Sequence, residues 1–308
     1  MGNGDLRGLF HSPFTIPYSP MITRFAPSPT GLLHLGHAFS ALTAFRAAEA
    51  EGGRFLLRIE DIDRTRCKPE YEAAILKDLA WLGLDWETPV RRQSDHFDDY
   101  AGALETLRAK GLVYRCFKTR KEIAEAIAQA PHLPPEGPEG TPYIGAPLSE
   151  PEERTLMDQG APFAWRLSMK AARAFLGARF DDLSFEETGA GPKGETGTIR
   201  ARPDIFGDVV IGRKDSGASY HLASVWDDAL QGISHVIRGV DLFHAAHLHV
   251  LLQALLDLPT PVYRCHPLIT DESGKRFAKR DKAATLRARR EAGETREDVL
   301  ARLGFQDA

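Results

Sequence analysis

Near its N-terminus the chain alternates between extended and helical patterns, and this alternation constrains the fold more than any other feature. "MITRFAPSPT" predicts a short strand that enters a rigid loop, "GHAFSALTAFRAAEAEGG" predicts an Ala-rich helix ended by a glycine pair, and "RFLLRIED" predicts a buried strand. A strand, a helix and a second strand within about forty residues form a βαβ unit with parallel strands. We therefore expect an α/β fold with its ligand crevice at the carboxyl ends of the strands.

The rest of the chain divides by pattern. "KPEYEAAILKDLAWLGLDW" predicts a helix, because its apolar residues recur at helical spacing. Between about residues 112 and 200 the chain is rich in Pro and Gly and lacks a clear apolar period, which indicates an inserted subdomain. Strand signals return in "FGDVVIGRKDSGASYHLASVWDDAL" and "ISHVIRGVDL", and "HAAHLHVLLQALLDL" has the period of a buried helix.

Composition excludes several classes of protein. The chain is 43% hydrophobic and 27% charged, which is typical of a globular domain. No apolar run approaches the ~18 residues that a membrane span needs, and the first twenty residues lack the apolar core of a signal peptide. We expect a cytoplasmic protein with no membrane partner. The three cysteines, an odd number far apart in the sequence, favour reduced thiols.

Charge is distributed unevenly along the chain. From residue 261 onward there are 11 Lys and Arg against 8 Asp and Glu, whereas the remainder holds 28 against 35. The C-terminal segment is therefore the better candidate for contact with a polyanion. A solvated helix face would have the same composition, so both interpretations stay open.

Two short motifs carry the chemistry. His34 and His37 lie three residues apart at the expected start of a helix, directly after a "PTG" turn. They could be surface histidines or a metal pair, but zinc-binding helices usually space histidines four residues apart with further ligands. A helix N-terminus binds phosphate, and imidazoles there can donate to phosphoryl oxygens. The second motif, "GKRFAKRD" (274–281), is a glycine turn with four cations; it is either a solvated loop or a source of charge compensation near a triphosphate.

Together these motifs resemble the signatures of class I aminoacyl-tRNA synthetases. "HLGH" is similar to the HIGH signature and "RFAKR" to the KMSKS signature. "RFAPSPTGLLHLGH", "RIEDIDRTR" and "HVIRGVDL" resemble the glutamyl type in particular, in order from about Thr23 to Asp281. The resemblance implies a Rossmann-type parallel-sheet nucleotide-binding domain with an inserted subdomain and a short C-terminal helical segment. The expected divisions are 1–20 as an N-terminal extension, 21–111 as the first Rossmann half, 112–200 as the inserted subdomain, 201–260 as the second half, and 261–308 as the KMSKS-like loop and helical segment.

The resemblance also assigns roles to residues. It places ATP between the two signatures, with His34, His37 and Lys279 as catalytic groups and with Gly36 and Arg276 as further ATP contacts. Glutamate lies beside the ATP, with Arg24 expected at its side-chain carboxylate and Glu60 at its ammonium group. The glutamate-binding residues implied are Arg24, Phe25, Ala26, Pro27, Ser28, Glu60, Tyr220 and Arg238. Arg276 and Ala278 replace the usual Lys and Ser of the KMSKS signature, so more of the catalytic load is expected on Lys279.

Only 28 residues follow Arg280, fewer than a helical anticodon-binding region needs. In this respect the chain resembles the glutamyl-Q tRNA(Asp) synthetases as a family. That resemblance implies activation of glutamate by ATP with Mg²⁺, without tRNA, and transfer to queuosine in the anticodon loop of tRNA(Asp). Two alternatives remain: a glutamyl-tRNA synthetase catalytic domain that charges tRNA(Glu), and a non-catalytic paralogue that binds nucleotide or amino acid.

Zinc is not expected. Glutamyl-type enzymes often hold zinc in the inserted subdomain through a Cys-x-Cys pair, a Tyr and a later Cys. Here Cys116 and Tyr143 remain, but Lys118 and Pro147 stand at the other two positions, and a cation cannot ligate Zn²⁺. A cluster of histidines aligns with an ordinary helix of the family and is not expected to bind metal: His244, His247 and His249.

Overall fold

The computed structural model describes residues 20–128, 137–213, 217–269 and 285–305. Strands and helices alternate along most of this length. In chain order they are β1 (Ile22–Phe25), α1 (Leu35–Ala50), β2 (Arg54–Ile59), α2 (Pro69–Trp81), β3 (Arg91–Arg92), α3 (Phe97–Ala109), β4 (Val113–Cys116), α4 (Arg120–Ala128), α5 (Glu150–Asp158), β5 (Ala164–Leu167), α6 (Met169–Leu176), β6 (Ser184–Glu187), β7 (Gly197–Arg200), β8 (Val210–Arg213), α7 (Tyr220–Leu230), β9 (His235–Gly239), α8 (Ala245–Leu256), β10 (Val262–His266), α9 (Leu286–Glu291) and α10 (Arg296–Arg302).

The βαβ unit predicted at the start of the chain is confirmed. Strands β1 and β2 are parallel, and α1 connects them. Helix α1 ends at Ala50, and Gly52 then has a φ of +58°, a left-handed conformation that favours glycine. A Cβ on Gly53 would lie 2.0 Å from the carbonyl oxygen of Met21, so a glycine is needed where β2 begins beside β1.

Parallel pairing extends on both sides of this unit, which confirms the α/β fold with a parallel sheet. β2 pairs in parallel with β3, and β9 pairs in parallel with β10, which in turn pairs in parallel with β6. The two groups of strands meet where the backbone N–H of Ser234, just before β9, donates to the carbonyl of Ile22 in β1 at 3.0 Å. The carboxyl ends of β1, β2 and β9 therefore face one crevice.

A separate antiparallel sheet is built mainly from the inserted segment, in the order β4, β5, β8. Sheet pairing crosses the expected boundary at residue 200 in both directions, since β6 pairs with β10 while β8 pairs with β5. The Asp208 carboxylate holds this region together by accepting from the Tyr114 hydroxyl at 2.8 Å and from two backbone N–H groups, those of Gly145 and Met169. The expected domain boundaries remain predictions.

One stretch differs from the pattern expected of it. The strand signals read in "FGDVVIGRKDSGASYHLASVWDDAL" hold for β8 only, because Tyr220–Leu230 forms α7. The Ser219 hydroxyl caps this helix by accepting from the backbone N–H of Leu222. The apolar residues Leu222, Val225, Trp226 and Ala229 recur at helical spacing, so the sequence did carry the helix signal, and the strand prediction for this part of the stretch was wrong.

Buried charges connect β2 to α7. Arg58 is completely buried, and its Nη1 donates to Asp228 at 2.7 Å while its Nη2 donates to Glu60 at 3.0 Å. Its Nε lies 3.7 Å from Asp227, whose carboxylate also accepts from the Tyr100 hydroxyl at 2.9 Å. Burial raises the pKa of Asp228, but Arg24 and Arg58 outweigh that effect, and the pKa is lowered overall.

The described residues from Thr285 onward pack against the start of α1 and against α2. Thr285 forms a β-bridge with His34, and the backbone N–H of Leu286 donates to the carbonyl of Leu33 at 2.8 Å. Farther along, Arg290 lies 2.9 Å from the buried carboxylate of Asp78 in α2. None of the helices in the described ranges is long and apolar enough to cross a membrane.

We expect Arg58→Met to lower the free energy of unfolding by about 3–5 kcal/mol at neutral pH, because it leaves buried carboxylates without their partner. In the wild-type chain the lowered pKa of Asp228 gives stability that is present at neutral pH and lost as the pH falls. In the variant the same carboxylates would have raised pKa values. The difference in free energy of unfolding between wild type and variant should therefore become smaller as the pH falls toward about 5. Urea unfolding followed by tryptophan fluorescence measures both effects.

Arg54→Met is the matched control. Arg54 lies on the same strand but is half exposed, and it pairs with the half-exposed Glu87. A surface pair of this kind contributes less than about 1 kcal/mol, so this variant should unfold nearly as the wild type does. Equal losses in the two variants would contradict the role given to the buried cluster.

Candidate active site

Two histidines cap the N-terminus of α1. The Nδ1 of His34 accepts from the backbone N–H of Gly36 at 3.1 Å, and the Nδ1 of His37 accepts from the backbone N–H of His34 at 3.2 Å. The two ring centroids are 3.8 Å apart. Because each Nδ1 is an acceptor, we assign the proton of each neutral ring to Nε2. The helix therefore begins with two imidazole N–H donors at the positive end of its dipole, an arrangement suited to an anion.

These histidines line a cavity of about 700 Å³ at the carboxyl ends of β1, β2 and β9, here called the histidine cavity. Every predicted site residue in the described part of the chain lines it: Arg24, Phe25, Ala26, Pro27, Ser28, His34, Gly36, His37, Glu60, Tyr220 and Arg238. Arg276 and Lys279 lie outside the described residues. The described residues that border that segment are both at this cavity, since Ile269 lines it and Thr285 pairs with His34. The individual roles of these residues remain predictions.

Arg238 brings a charge to the histidine cavity that no described carboxylate compensates. Its side chain is 4% exposed, and its Nε, Nη1 and Nη2 have no hydrogen-bond partner among the described residues. The ring of Tyr263 lies 5.0 Å from its Cζ. Buried donors without acceptors are rare, and in a cavity they point to an anionic ligand.

Arg24 differs from Arg238 in this respect. Its Nε donates to Oδ1 of Asp228 at 3.0 Å and its Nη2 to Oδ2 at 3.3 Å. A ligand carboxylate at Arg24 would compete with this internal partner, whereas one at Arg238 would not. The structure therefore favours Arg238 as the stronger anion contact, and the assignment of the glutamate side chain to Arg24 stays a prediction.

A carboxylate, that of Glu60, and a phenolic hydroxyl, that of Tyr220, also line the histidine cavity. Oε1 of Glu60 accepts from Arg58, while its Oε2 has no described hydrogen bond. Burial raises the pKa of Glu60, and the positive charge of Arg58 partly offsets this. Burial also raises the pKa of Tyr220, so its hydroxyl keeps its proton at neutral pH and can donate. A carboxylate, a guanidinium and a phenol at one cavity can together hold a zwitterionic amino acid.

A second cavity of about 810 Å³ adjoins the first, and Ser28, Glu60 and Tyr220 line both. Its far wall comes from the inserted segment and from β8, and includes Tyr143 and Asp208. We call it the insert cavity. A second reactant that entered it would meet a ligand of the histidine cavity at the three shared residues.

The expected zinc ligands lie in a small cluster of their own. Cys116 and Tyr143 are buried together with Tyr114, and the Nζ of Lys118 lies 6.0 Å from the ring of Tyr143. Within the described ranges, no three His, Cys, Asp or Glu side chains are close enough to hold a metal ion. The prediction that the chain binds no zinc was not tested by this arrangement and stays a prediction.

The two histidines within α8, His247 and His249, form hydrogen bonds to protein groups. His247 accepts at Nδ1 from the backbone N–H of Arg202 at 3.2 Å, and burial lowers its pKa to about 4. The Nε2 of His249 lies 3.1 Å from Nδ1 of His221.

Sequence reasoning missed the residues that organise the charges of the site. Arg58 and Asp228 were not predicted, although a charged residue inside the buried strand "RFLLRIED" and the acidic pair "DD" in α7 were visible signals. The contact of His221 with His249 was also missed, since 28 positions separate them in the sequence. The local sequence does not show which arginine lacks a carboxylate partner in the fold and can therefore pair with an anionic ligand.

Arg238→Met should leave the free energy of unfolding of the unliganded chain within about 1 kcal/mol of wild type, because no buried carboxylate loses its partner. The same substitution should abolish the rise in melting temperature that saturating glutamate gives the wild type, since a ligand stabilises only as far as it binds the folded state. Thermal unfolding with and without glutamate measures this. An equal rise in both proteins would remove Arg238 from the ligand site.

Comparison with known proteins agrees with this geometry. Residues 20–308 match the family model "tRNA synthetases class I (E and Q), catalytic domain". The glutamyl-Q tRNA(Asp) synthetase of Rhodobacter capsulatus is 48% identical over 290 residues, which cover 92% of this chain and all of that protein. The protein of the same name from Nocardia farcinica is 42% identical over 281 residues, covering 91% of this chain and 82% of that one.

Glutamate tRNA ligases match over a shorter share of their length. That of Aquifex aeolicus is 37% identical over 279 residues, covering 89% of this chain and 54% of that protein. The crystal structure of a glutamate tRNA ligase from Elizabethkingia meningosepticum in complex with its amino acid superposes with a TM-score of 0.68 at 28% identity, covering 85% of this chain and 52% of that one. The chain therefore belongs to the class I tRNA synthetases (E and Q), the family that contains these glutamyl-Q tRNA(Asp) synthetases and glutamate tRNA ligases.

Proposed function

We propose that this enzyme activates glutamate with ATP and transfers the glutamyl group to queuosine in the anticodon of tRNA(Asp). The observation that carries the proposal is the uncompensated Arg238, which shares a cavity with Glu60 and with the two imidazole donors of α1. Relatives named for this activity, one of them matched over its whole length, support the same conclusion. Since tRNA is a cytoplasmic substrate, the proposal places the enzyme in the cytoplasm.

In the first step a glutamate carboxylate oxygen attacks the α-phosphorus of ATP. A bond forms between that oxygen and phosphorus, and the bond to the β-phosphate oxygen breaks, so glutamyl-adenylate and pyrophosphate result. The α-carboxylate is already ionised at neutral pH, so no general base is needed. Catalysis then depends on orientation and on stabilising the charge that develops on the phosphoryl oxygens.

Charge complementarity suggests which groups hold each reactant. Glu60 would bind the ammonium group of glutamate, and Tyr220 and Arg238 its carboxylate oxygens. The Nε2–H groups of His34 and His37 would donate to phosphoryl oxygens, and the positive end of the α1 dipole would favour the same negative charge. Each of these contacts uses a donor or an acceptor that the fold holds in place before any ligand binds.

Mg²⁺ would be held mainly by the phosphates of ATP. It prefers carboxylate oxygens together with substrate phosphates, and the described residues contain no group of three His, Cys, Asp or Glu side chains that could hold a metal ion by itself. When bound, the ion would neutralise part of the triphosphate charge.

In the second step a hydroxyl of the cyclopentene diol of queuosine attacks the carbonyl of glutamyl-adenylate. An ester forms, the bond to the phosphate oxygen breaks, and AMP leaves with the electron pair. The insert cavity offers a route for this hydroxyl, because Ser28, Glu60 and Tyr220 line both it and the histidine cavity. No side chain has to act as a nucleophile.

Two alternatives are less well supported. A glutamate tRNA ligase acting on tRNA(Glu) has relatives in its favour, but the one from Aquifex aeolicus is 37% identical to this chain, against 48% for the glutamyl-Q tRNA(Asp) synthetase of Rhodobacter capsulatus. A non-catalytic paralogue would have no need to keep the paired imidazoles, Glu60 and an unpartnered Arg238 at one cavity.

The test is a pair of assays. Glutamate-dependent exchange between ATP and pyrophosphate should occur without tRNA, and glutamate should be transferred to queuosine-containing tRNA(Asp) but not to unmodified tRNA(Asp). Exchange that requires tRNA(Glu) would favour the glutamate tRNA ligase, and no exchange under any condition would favour the paralogue.

We also expect Lys279→Ala to lower the exchange rate by about 10², because one donor to the developing phosphoryl charge is lost, with little change in glutamate affinity. Lys282→Ala, a neighbouring cation without an assigned role, is the control and should exchange at the wild-type rate. If Lys279→Ala exchanged as fast as the control, Lys279 would have no part in activation.

A further inference from the structure

One wall of the insert cavity carries a chain of three hydrogen-bonded side chains. Nε2 of His221, in the first turn of α7, lies 2.7 Å from Oε1 of Glu139, which belongs to the inserted segment. Nδ1 of His221 lies 3.1 Å from Nε2 of His249 in α8. Glu139 and His221 line the insert cavity, whereas His249 is 2% exposed and lies behind them.

The proton positions in this chain follow from what each group can do. An ionised carboxylate only accepts, so His221 donates from Nε2 to Glu139. A neutral His221 then accepts at Nδ1, and His249 donates from Nε2. The hydrogen bond from His221 lowers the pKa of Glu139, which keeps it a carboxylate at neutral pH. Glu139 is therefore a fixed negative charge, oriented from behind by two histidines.

Four carboxylates line the insert cavity, and they differ in what their oxygens already bind. Both oxygens of Asp208 accept hydrogen bonds, as do both oxygens of Asp63. Glu60 and Glu139 each keep one oxygen without a hydrogen bond to any described residue. Glu60 also lines the histidine cavity, where an ammonium group is expected, so Glu139 is the free acceptor that belongs to the insert cavity alone.

Queuosine, the proposed acceptor, carries a positive charge that is complementary to the carboxylate of Glu139. In queuosine a secondary amine, protonated at neutral pH, joins the 7-deazaguanine to the cyclopentene ring, next to a carbon that bears a hydroxyl. When that hydroxyl reaches the region shared by the two cavities, the amine must lie within a few bonds of it. Glu139 is hydrogen-bonded to His221, whose ring centroid lies 5.2 Å from that of the shared residue Tyr220, so its carboxylate lies near the region that the two cavities share.

We propose, on the basis of the function proposed above, that Glu139 is a specificity-determining residue that binds the protonated secondary amine of queuosine. His221 and His249 position its carboxylate. The residue acts in the transfer step only, since glutamate activation takes place in the histidine cavity.

The experiment compares Glu139→Gln with Glu125→Gln. Gln keeps the size and an oxygen that accepts from His221 but removes the charge. Glu125 lies on α4 of the same inserted segment and does not line the cavity, so its substitution is the matched control. Both variants should keep wild-type exchange between ATP and pyrophosphate without tRNA. Glu139→Gln alone should lower kcat/KM for transfer to queuosine-containing tRNA(Asp) about tenfold or more, mainly through KM, because a charge-assisted contact is lost.

Two inhibitors isolate the charge from the rest of the acceptor. 7-Aminomethyl-7-deazaguanine carries the ammonium group without the diol, and 7-cyano-7-deazaguanine is its neutral counterpart. The aminomethyl compound should inhibit transfer by the wild type and the control more strongly than the cyano compound does. This preference should disappear in Glu139→Gln.

The outcomes separate the two proposals. Unchanged transfer by Glu139→Gln, or an unchanged preference for the aminomethyl compound, would overturn the role of Glu139 and leave the proposed function intact. A loss of exchange in Glu139→Gln would also overturn it, because the residue would then serve activation or folding. If the wild type exchanges but does not transfer to queuosine, the proposed function fails first.

Discussion

The buried ion cluster around Arg58 is the interaction on which the rest of the site depends. It joins β2 to α7 through Asp228 and holds Glu60 at the end of β2, while Asp228 also holds Arg24 near the end of β1. Removing charges from water is costly unless they are paired with good geometry, so this arrangement fixes the relative positions of the elements that contribute them. Two of the side chains that line the histidine cavity, Arg24 and Glu60, are thereby fixed before a ligand arrives.

Arg238 differs from the other buried arginines of the site because it has no carboxylate partner among the described residues. Arg24 and Arg58 share Asp228, whereas Arg238, equally buried, has no carboxylate among the described residues. A protein that keeps one buried cation unpaired gives up stability at that position and gains a site for an anion. The imidazoles of α1 are held in place differently, since the Nδ1 atom of each accepts from a backbone N–H at the start of the helix.

The two adjoining cavities explain how one chain can carry out two reactions in order. Activation needs ATP and an amino acid together, and transfer needs a third molecule to reach the product without displacing it. A histidine cavity and an insert cavity that share only three of the described residues satisfy both needs. Glu139 and His221 line the second cavity, with His249 behind them, and the role proposed for Glu139 would separate recognition of the acceptor from recognition of glutamate.

The sequence by itself determined the βαβ unit, the histidines at the start of α1 and eleven of the described residues that line the histidine cavity. Each depends on neighbours within a few turns or on a motif that could be recognised. Helix α7 was predicted as strand although its apolar residues recur at helical spacing, so that error was one of interpretation and not of missing signal. Only the tertiary structure decided that Arg24 pairs with Asp228, 204 residues away, and that Arg238 stays unpaired. Such pairings depend on which elements pack together and how much water they exclude, and no local pattern of residues encodes that.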